Sequence, residues 1–431
     1  MPFGCQMNRA DAGAISDLFA ADGHSLVADE DDADVIVYVT CTVRQHAENR
    51  AISRLGRHGR RKRDGKSLIL VLAGCVAEKE ARNAFDRIPE LDIVCGTRSF
   101  HQLPELVEQV RSGRTRLVAV GLEGQPEGRE GSHFRTTPFQ AFINITRGCD
   151  NFCSYCIVPY VRGREYSRPQ DEIIDEVRAL ADTGVMEATF LGQNVNSYGK
   201  GLDEPASLAT LLTRASEIPG IERLKFVTSH PKDLTPQLIG ALTIPKVCPY
   251  LHLPAQSGSN RILKAMNRNY TREHYLGLLK AVRDAVPDIG LASDFIVGFP
   301  GETEDDYIQT RELLETARFQ QVFVFKYSPR PGTAGARLFD DVPMADKKRR
   351  NNELLALHLQ IANEDNAKQV GAKVDVLVEG PSPRDKSRYI GRSPSDRIVI
   401  VSTKEDLVGK IVPVRITFST ALALYGEQAA Q

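Results

Sequence analysis

The chain has 431 residues, 42% of them hydrophobic, and its 55 Lys and Arg against 56 Asp and Glu leave a formal net charge of -1. That length fits about three domains of ~150 residues, and the balanced charge excludes a nucleic-acid partner held by the field of the whole chain, so any such partner must meet local patches. Met1 to Arg9 lacks the charged-then-apolar pattern of a secretion signal and no stretch approaches the ~20 apolar residues of a membrane helix, so a cytoplasmic protein is expected, whose cysteines hold metal rather than disulfides.

Three strand–cysteine–helix units open the chain. Cys5 follows a short opening segment and precedes the helix-like stretch Ala10 to Ala21; the apolar run Asp34 to Thr40 ends at Cys41 and leads into a helical pattern from Val43; Ser67 to Ala73 ends at Cys75 and leads into Ala77 to Ile88. Such alternation predicts a parallel sheet with right-handed crossovers, in which the loops after the strand carboxyl ends gather at one edge. Cys5, Cys41 and Cys75 should therefore meet, and three thiolates suit a four-iron cluster with one iron open to a non-protein ligand. The run from Arg44 to Lys66, with 9 basic and 2 acidic residues, reads as a solvated helix face. Cys95 and Cys248 fit no set and read as packed thiols. From Glu123 to Pro138 the Gly-, Pro- and charge-rich sequence reads as a linker.

The apolar Ala141 to Ile145 then runs into Arg147-Gly148-Cys149-Asp150-Asn151-Phe152-Cys153-Ser154-Tyr155-Cys156, a C-x3-C-x2-C loop. Three thiolates this close wrap one corner of an iron–sulfur cube without saturating it, since a four-iron cluster held by cysteine normally takes four. Structural zinc would want paired C-x2-C elements with a fourth Cys or His nearby, and none follows Cys156. The loop resembles that of the radical S-adenosylmethionine enzymes, down to the aromatic Tyr155 before the last cysteine. This resemblance implies that the open iron binds the amino and carboxylate groups of S-adenosylmethionine, that an electron from the cluster splits the sulfonium bond to give a 5′-deoxyadenosyl radical, and that Tyr155 lies beside that cofactor.

Six strand candidates follow: Ala141 to Thr146, Ala188 to Gln193, Arg223 to Ser229, Tyr250 to Pro254, Leu291 to Gly298 and Gln321 to Tyr327, with helical patterns such as Gln170 to Thr183 and Arg272 to Ala285 between them. Six units are too few for the eight of a full barrel and suit the partial barrel of the enzymes just named, open at one side. Chemistry belongs at the strand carboxyl ends, where Gln193, Asn194 and Asp294 are candidate S-adenosylmethionine contacts and Phe299-Pro300-Gly301-Glu302 a candidate adenine-pocket turn. His230 and His252 lack a spaced carboxylate or serine partner and read as structural.

Beyond the charged helical stretch Asp346 to Gln369 the period changes. Lys373 to Val378, Asp396 to Ser402 and Lys410 to Phe418 alternate polar and apolar residues, as in a small β-barrel. Ala367 to Gln431 carries 10 Lys or Arg and 7 Asp or Glu. Arg384, Lys386, Arg388, Arg392 and Arg397 crowd one hairpin, as in a module that grips phosphates by charge.

Gly4-Cys5-Gln6-Met7-Asn8, Thr40-Cys41-Thr42-Val43-Arg44, Ala73-Gly74-Cys75, the Arg147 to Cys156 loop with Tyr160-Val161-Arg162-Gly163-Arg164-Glu165 and Ser167-Arg168-Pro169 after it, Pro254 to Ser259, and Tyr327-Ser328-Pro329-Arg330-Pro331-Gly332-Thr333 together resemble the methylthiotransferases over nearly the whole chain. The resemblance implies an α/β chain of three parts: an N-terminal parallel α/β methylthiotransferase domain over 1–115 with an auxiliary 4Fe-4S cluster, a partial (β/α)6 radical S-adenosylmethionine barrel over 135–365, and an all-β TRAM barrel over 367–430. Val39 stands where the family usually has Asn, and Asp11-Ala12-Gly13 where it has Asp-Ser-Glu; all six cluster cysteines are kept, so the changes bear on contacts around the auxiliary cluster.

The pentapeptide and the Arg-Gly-Arg-Glu run look like the branch that modifies isopentenylated adenosine beside the tRNA anticodon. The implied reaction uses S-adenosylmethionine twice: the cluster on Cys149, Cys153 and Cys156 makes the radical that takes hydrogen from the adenine carbon between the pyrimidine nitrogens, and the cluster on Cys5, Cys41 and Cys75 presents a methylated sulfur. Implied partners are tRNA, a reductant such as flavodoxin or ferredoxin and a sulfur donor, with no membrane, for a monomer. Rival expectations are a methylthiotransferase for threonylcarbamoyladenosine or a ribosomal-protein aspartate, and, in another class, a non-catalytic iron–sulfur protein that binds RNA or carries electrons. An electron carrier, however, protects its irons with four ligands.

Overall fold

The computed structural model describes residues 1–42, 45–122, 133–403 and 405–429. Val43 and Arg44 of the second cysteine motif and residues 123–132 of the expected linker lie outside the described residues.

Five parallel strands pair in chain order: β1 (Pro2–Phe3), β2 (Val35–Thr40), β3 (Ile69–Gly74), β4 (Ile93–Cys95) and β5 (Leu117–Ala119). β2 and β3 are runs of Val, Ile and Leu because both faces are covered. Ile15, Phe100, Leu103 and Val107 pack against Val39, Val71 and Ile93 on one face; Ala51, Leu55, Val76 and Phe85 pack against Tyr38, Leu70 and Leu72 on the other. The first helix, Gln6–Ala21, begins directly after Cys5 rather than at Ala10. The expected helix Ala77 to Ile88 is instead broken into Cys75–Glu80 and Ala84–Arg87 around Ala81, whose φ of 47° leaves the helical region. Arg50, Arg54, Arg57 and Arg60 of the helix Gln45–Arg63 belong to the basic run, while Cys95 and Cys248 are packed inside.

The middle of the chain adds β6 (His133–Thr137), β7 (Gln140–Asn144), β8 (Thr146–Arg147), β9 (Tyr166–Ser167), β10 (Glu187–Leu191), β11 (Arg223–Phe226), β12 (Tyr250–His252), β13 (Gly290–Val297) and β14 (Gln321–Lys326). β7, β10 and β11 are parallel neighbours, as are β12, β13 and β14. An isolated parallel bridge between Leu224 and Val247, just before β12, sets the two groups side by side, three parallel strands in each. β6 pairs antiparallel with the free edge of β7, and β14 pairs with β13 alone, so the barrel stays open. A continuous core from Ile143, Phe190, Leu224, Leu251, Phe295 and the surrounding helices fills it.

The C-terminal strands β15 (Lys373–Pro381), β16 (Tyr389–Arg392), β17 (Ile398–Ser402), β18 (Ile411–Ser419) and β19 (Leu424–Gln428) close into a barrel. This barrel plugs the amino-terminal end of the six-stranded one. Lys225 lies 3.1 Å from Glu187 and 3.0 Å from Asp396; Arg223 donates to the carbonyls of Arg392 and Asp375; Gln320 donates to the Ser395 carbonyl.

Leu117–Ala119 pairs with β4, and residue 135 lies within β6, which pairs with β7 of the central sheet. Among the described residues no helix is long and apolar enough to cross a membrane.

Candidate functional site

The N-terminal thiols gather because β1, β2 and β3 are parallel and in register, with Phe3 opposite Thr40 and Thr40 opposite Gly74. The residues just beyond these positions are Cys5, Cys41 and Cys75. Gly4 makes room for the approach: its φ is +148°, and a Cβ there would stand 2.3 Å from the Cys41 Cβ. The Cys5 thiol donates to Asn8 Oδ1 at 3.1 Å, and Asn8 Nδ2 donates to the Thr40 carbonyl at 3.0 Å, tying the first helix to β2. A hydrogen bond from Cys41, helped by the Arg162 charge against burial, draws the Cys5 thiol down to about 6. Burial pushes Cys75 the other way.

Arg162, on the helix Val158–Arg162 that follows Cys156, reaches into this group. Its Nε donates to Cys75 Sγ at 3.2 Å, and its Nη2 lies 2.5 Å from Asp11 Oδ2. Arg162 is 5% exposed and Asp11 fully buried, so the pair is a desolvated latch between the N-terminal sheet and the cysteine loop of the core. Asp11 is the residue that the departing tripeptide keeps. Sequence reading missed both as site residues; the signal was present, since Arg162 lies within the Tyr160 to Glu165 run.

The second thiol set is wound by its own backbone. Gly148, with φ +72°, leaves its N–H to Gln193 Oε1 at 2.5 Å, and Cys156 N donates to the Cys153 carbonyl at 2.9 Å. Ser154 donates to the carbonyls of Ala265 and Met266, fastening the loop to the end of the helix Asn260–Ala265. Arg268, 7% exposed, approaches Cys153 Sγ at 3.6 Å while stacking over Tyr270 at 5.1 Å. Burial pushes the Cys149 and Cys156 thiols up to about 11 and about 12, so thiolates here need a bound cation to form.

No three His, Cys, Asp or Glu side chains among the described residues converge as they do on one metal ion. Arg162 and Arg268 each aim an N–H at one sulfur of a set, the kind of hydrogen bond that tunes a cysteine-held iron–sulfur cluster.

Unpartnered polar atoms line the carboxyl ends of three adjacent strands. Both side-chain polar atoms of Asn144, Thr146 Oγ1, Gln193 Nε2, Asn194 Oδ1 and Ser229 Oγ are buried with no hydrogen-bond partner. Each such atom costs about 1–3 kcal/mol, and together they form a buried, unsatisfied polar cluster whose donors and acceptors match a ligand with amino, carboxylate and hydroxyl groups. The Asn194 Nδ2 donates to Asp233 Oδ2 at 2.7 Å. Tyr155 packs beside Ile262, Met266, Phe299 and Tyr327, which brings the Phe299 turn against the cysteine loop.

Asp294 lies 3.3 Å from His252 Nε2. His252 thus has the carboxylate neighbour that sequence did not reveal, because β12 and β13 are parallel and pair His252 with Ala292. His230 is buried, accepts from the Lys232 N–H, and is held down to about 2 by burial, with Arg268 and Lys232 adding to the effect.

The five basic candidates of the last barrel separate. Arg384, Lys386 and Arg388 are exposed on the loop before β16. Arg392 pairs with Asp396 at 3.1 Å and Arg397 donates to Asn366 at 2.9 Å, in the turn that docks under the central barrel.

Profile comparison matches residues 143–314 to the Radical SAM superfamily, 1–96 to Uncharacterized protein family UPF0004 and 367–428 to the TRAM domain. The tRNA-2-methylthio-N(6)-dimethylallyladenosine synthase of Syntrophomonas wolfei is 43% identical over 99% of this chain and 96% of its own length. The synthase of the same name from Syntrophotalea carbinolica is 43% identical over 99% and 98%. Among solved structures, the cobalamin-dependent S-adenosylmethionine radical enzyme OxsB is similar in fold, with a TM-score of 0.51 at 12% identity, covering 81% of this chain and 54% of its own.

Proposed function

This chain belongs to the tRNA-2-methylthio-N(6)-dimethylallyladenosine synthases, tRNA methylthiotransferases of the radical S-adenosylmethionine superfamily, and from that premise we propose that it converts N6-isopentenyladenosine beside the anticodon to its 2-methylthio derivative. It is an enzyme that transfers sulfur and a methyl group to tRNA. In our reading Cys149, Cys153 and Cys156 hold one 4Fe-4S cluster and Cys5, Cys41 and Cys75 another; bound there, the clusters supply the electron that opens S-adenosylmethionine and the sulfur that is transferred.

The chain's own residues then bind and orient. Asn144, Thr146, Gln193, Asn194 and Ser229 offer their unpartnered atoms to the polar groups of S-adenosylmethionine, with Tyr155 and the Phe299 turn against its adenine and Asp294 contributing from β13. Arg162 holds the two thiol sets in fixed relation. Arg384, Lys386 and Arg388 grip phosphates. These lie with the barrel that plugs the amino-terminal strand ends, whereas the thiols lie at the carboxyl ends, so an RNA touching both must span a strand length of roughly 20 Å. That suits a stem and loop better than a free nucleoside. We assign 1–119 to the methylthiotransferase domain, 133–365 to the radical core and 367–430 to TRAM, with flavodoxin or ferredoxin as reductant, a separate sulfur donor, and a cytoplasmic monomer as the working form.

The observation that carries the reading is Arg162, which follows the C-x3-C-x2-C loop in sequence and hydrogen-bonds Cys75 of the other set. The test is anaerobic reconstitution with reductant, sulfide, S-adenosylmethionine and isopentenylated tRNA, followed by nucleoside mass spectrometry. A gain of one methylthio group on isopentenyladenosine is expected; 5′-deoxyadenosine without that gain would reject the substrate and turn attention to threonylcarbamoylated tRNA and the ribosomal protein.

A further inference from the structure

Most large side chains near the cysteine loop are buried, yet two aromatic rings, one on the loop and one on the helix that follows it, face solvent. Phe152 is 38% and Tyr160 47% exposed, with centroids 6.2 Å apart and planes 81° from each other. Arg164, 75% exposed and anchored to Asp150 at 2.9 Å, lays its guanidinium 5.6 Å from the Phe152 centroid. Phe152 also adopts φ +45°, a conformation in which a bulky side chain is an outlier. Asn267 fixes it there by donating to the Asn151 and Phe152 carbonyls at 3.2 and 3.0 Å. A Gly or Asn would make this turn with less strain and expose no ring, so the fold alone does not account for Phe152.

We propose that Phe152, Tyr160 and Arg164 form a stacking platform for unpaired bases of the tRNA anticodon loop next to the target adenosine. The inference rests on the tRNA reading above. Chemistry on a carbon of the adenine ring requires that base to leave its stack, and its neighbours then lose a stacking surface. Aromatic rings and an arginine plane restore one without regard to base identity. The platform borders both thiol sets, since Phe152 immediately precedes Cys153 and Tyr160 stands two residues before Arg162, which touches Cys75.

The experiment uses the reconstituted full-length enzyme and an isopentenylated anticodon stem–loop RNA with 2-aminopurine beside the modified adenosine. Wild type should quench the 2-aminopurine on binding. Tyr160→Ala, with iron content equal to wild type, should weaken the quench and raise the KM for RNA about tenfold more than it lowers kcat, and Tyr160→Phe should restore both. If Tyr160→Ala gives an unchanged KM and quench, or lowers kcat alone, the platform is overturned while the tRNA reading stands. If wild type modifies no RNA, or modifies a protein instead, both fall together. Arg164→Ala supplies an independent variant on the same readouts, expected to follow Tyr160→Ala with a smaller rise in KM.

Discussion

Cys149, Cys153 and Cys156 lie in one loop whose own backbone winds them together, whereas Cys5, Cys41 and Cys75 arrive at the ends of three strands and meet through sheet register. The first arrangement depends on local turns such as Gly148, the second on long-range packing and on a buried ion pair from another part of the chain. Their electrostatics divide less cleanly: burial raises Cys149 and Cys156 in the loop and Cys75 in the other set, and Cys5 is lowered by a neighbouring thiol and Arg162. A site assembled from distant segments can therefore be tuned, or broken, from distant segments.

The largest expected effects come from removing one cysteine of each set. Cys153→Ala should abolish both 5′-deoxyadenosine formation and methylthiolation, and Cys75→Ala methylthiolation alone, each reducing about eight irons to about four by iron assay. Loss of 5′-deoxyadenosine in Cys75→Ala would end the division of labour. Next, Arg162→Ala leaves Asp11 buried and uncompensated, and should destabilise the protein by about 3–5 kcal/mol in denaturant unfolding. Adding Asp11→Ala should recover part of that loss, and an additive double variant would show that the pair is no latch.

Gly4→Ala and Gly148→Ala sharpen the contrast, since a Cβ at Gly148 would stand 2.2 Å from the Arg164 carbonyl oxygen. The first should deplete iron only in the auxiliary set and the second only in the loop, read by spectra of enzymes whose other set is cysteine-free. In the metal-free protein, a Cys5 thiol held down at about 6 is mostly thiolate at pH 7, while thiols near 11 and 12 stay protonated. Iodoacetamide should accordingly alkylate Cys5 before Cys149 or Cys156 in peptide mass spectrometry, and the preference should fade as the pH falls below 6. Smallest of all, Arg384, Lys386 and Arg388 changed singly to Ala should each lower the salt dependence of tRNA binding by about 1 in slope; Arg392→Ala and Arg397→Ala should affect stability instead.

Much of the molecule was legible in the sequence because its signals are local or periodic. Six strands and the cysteine loop are read from apolar runs and spacing, and the strand–cysteine–helix repeat already implied that Cys5, Cys41 and Cys75 share an edge. The TRAM barrel was only partly legible: β16 and β19 were missed, since Tyr389–Arg392 and Leu424–Gln428 are short and interrupted by Gly391 and Gly426.

The chain by itself determined the chemistry available, six thiols in two sets and a barrel to present them, because ligand type and hydrophobic period are written residue by residue. Only the tertiary structure decided which charges meet those thiols. Arg162 reaching Asp11 and Cys75, Asp294 beside His252, and Arg392 and Arg397 drawn into a joint all depend on which segments pack together, and a charge's role changes from solvated to structural once its neighbours exclude water.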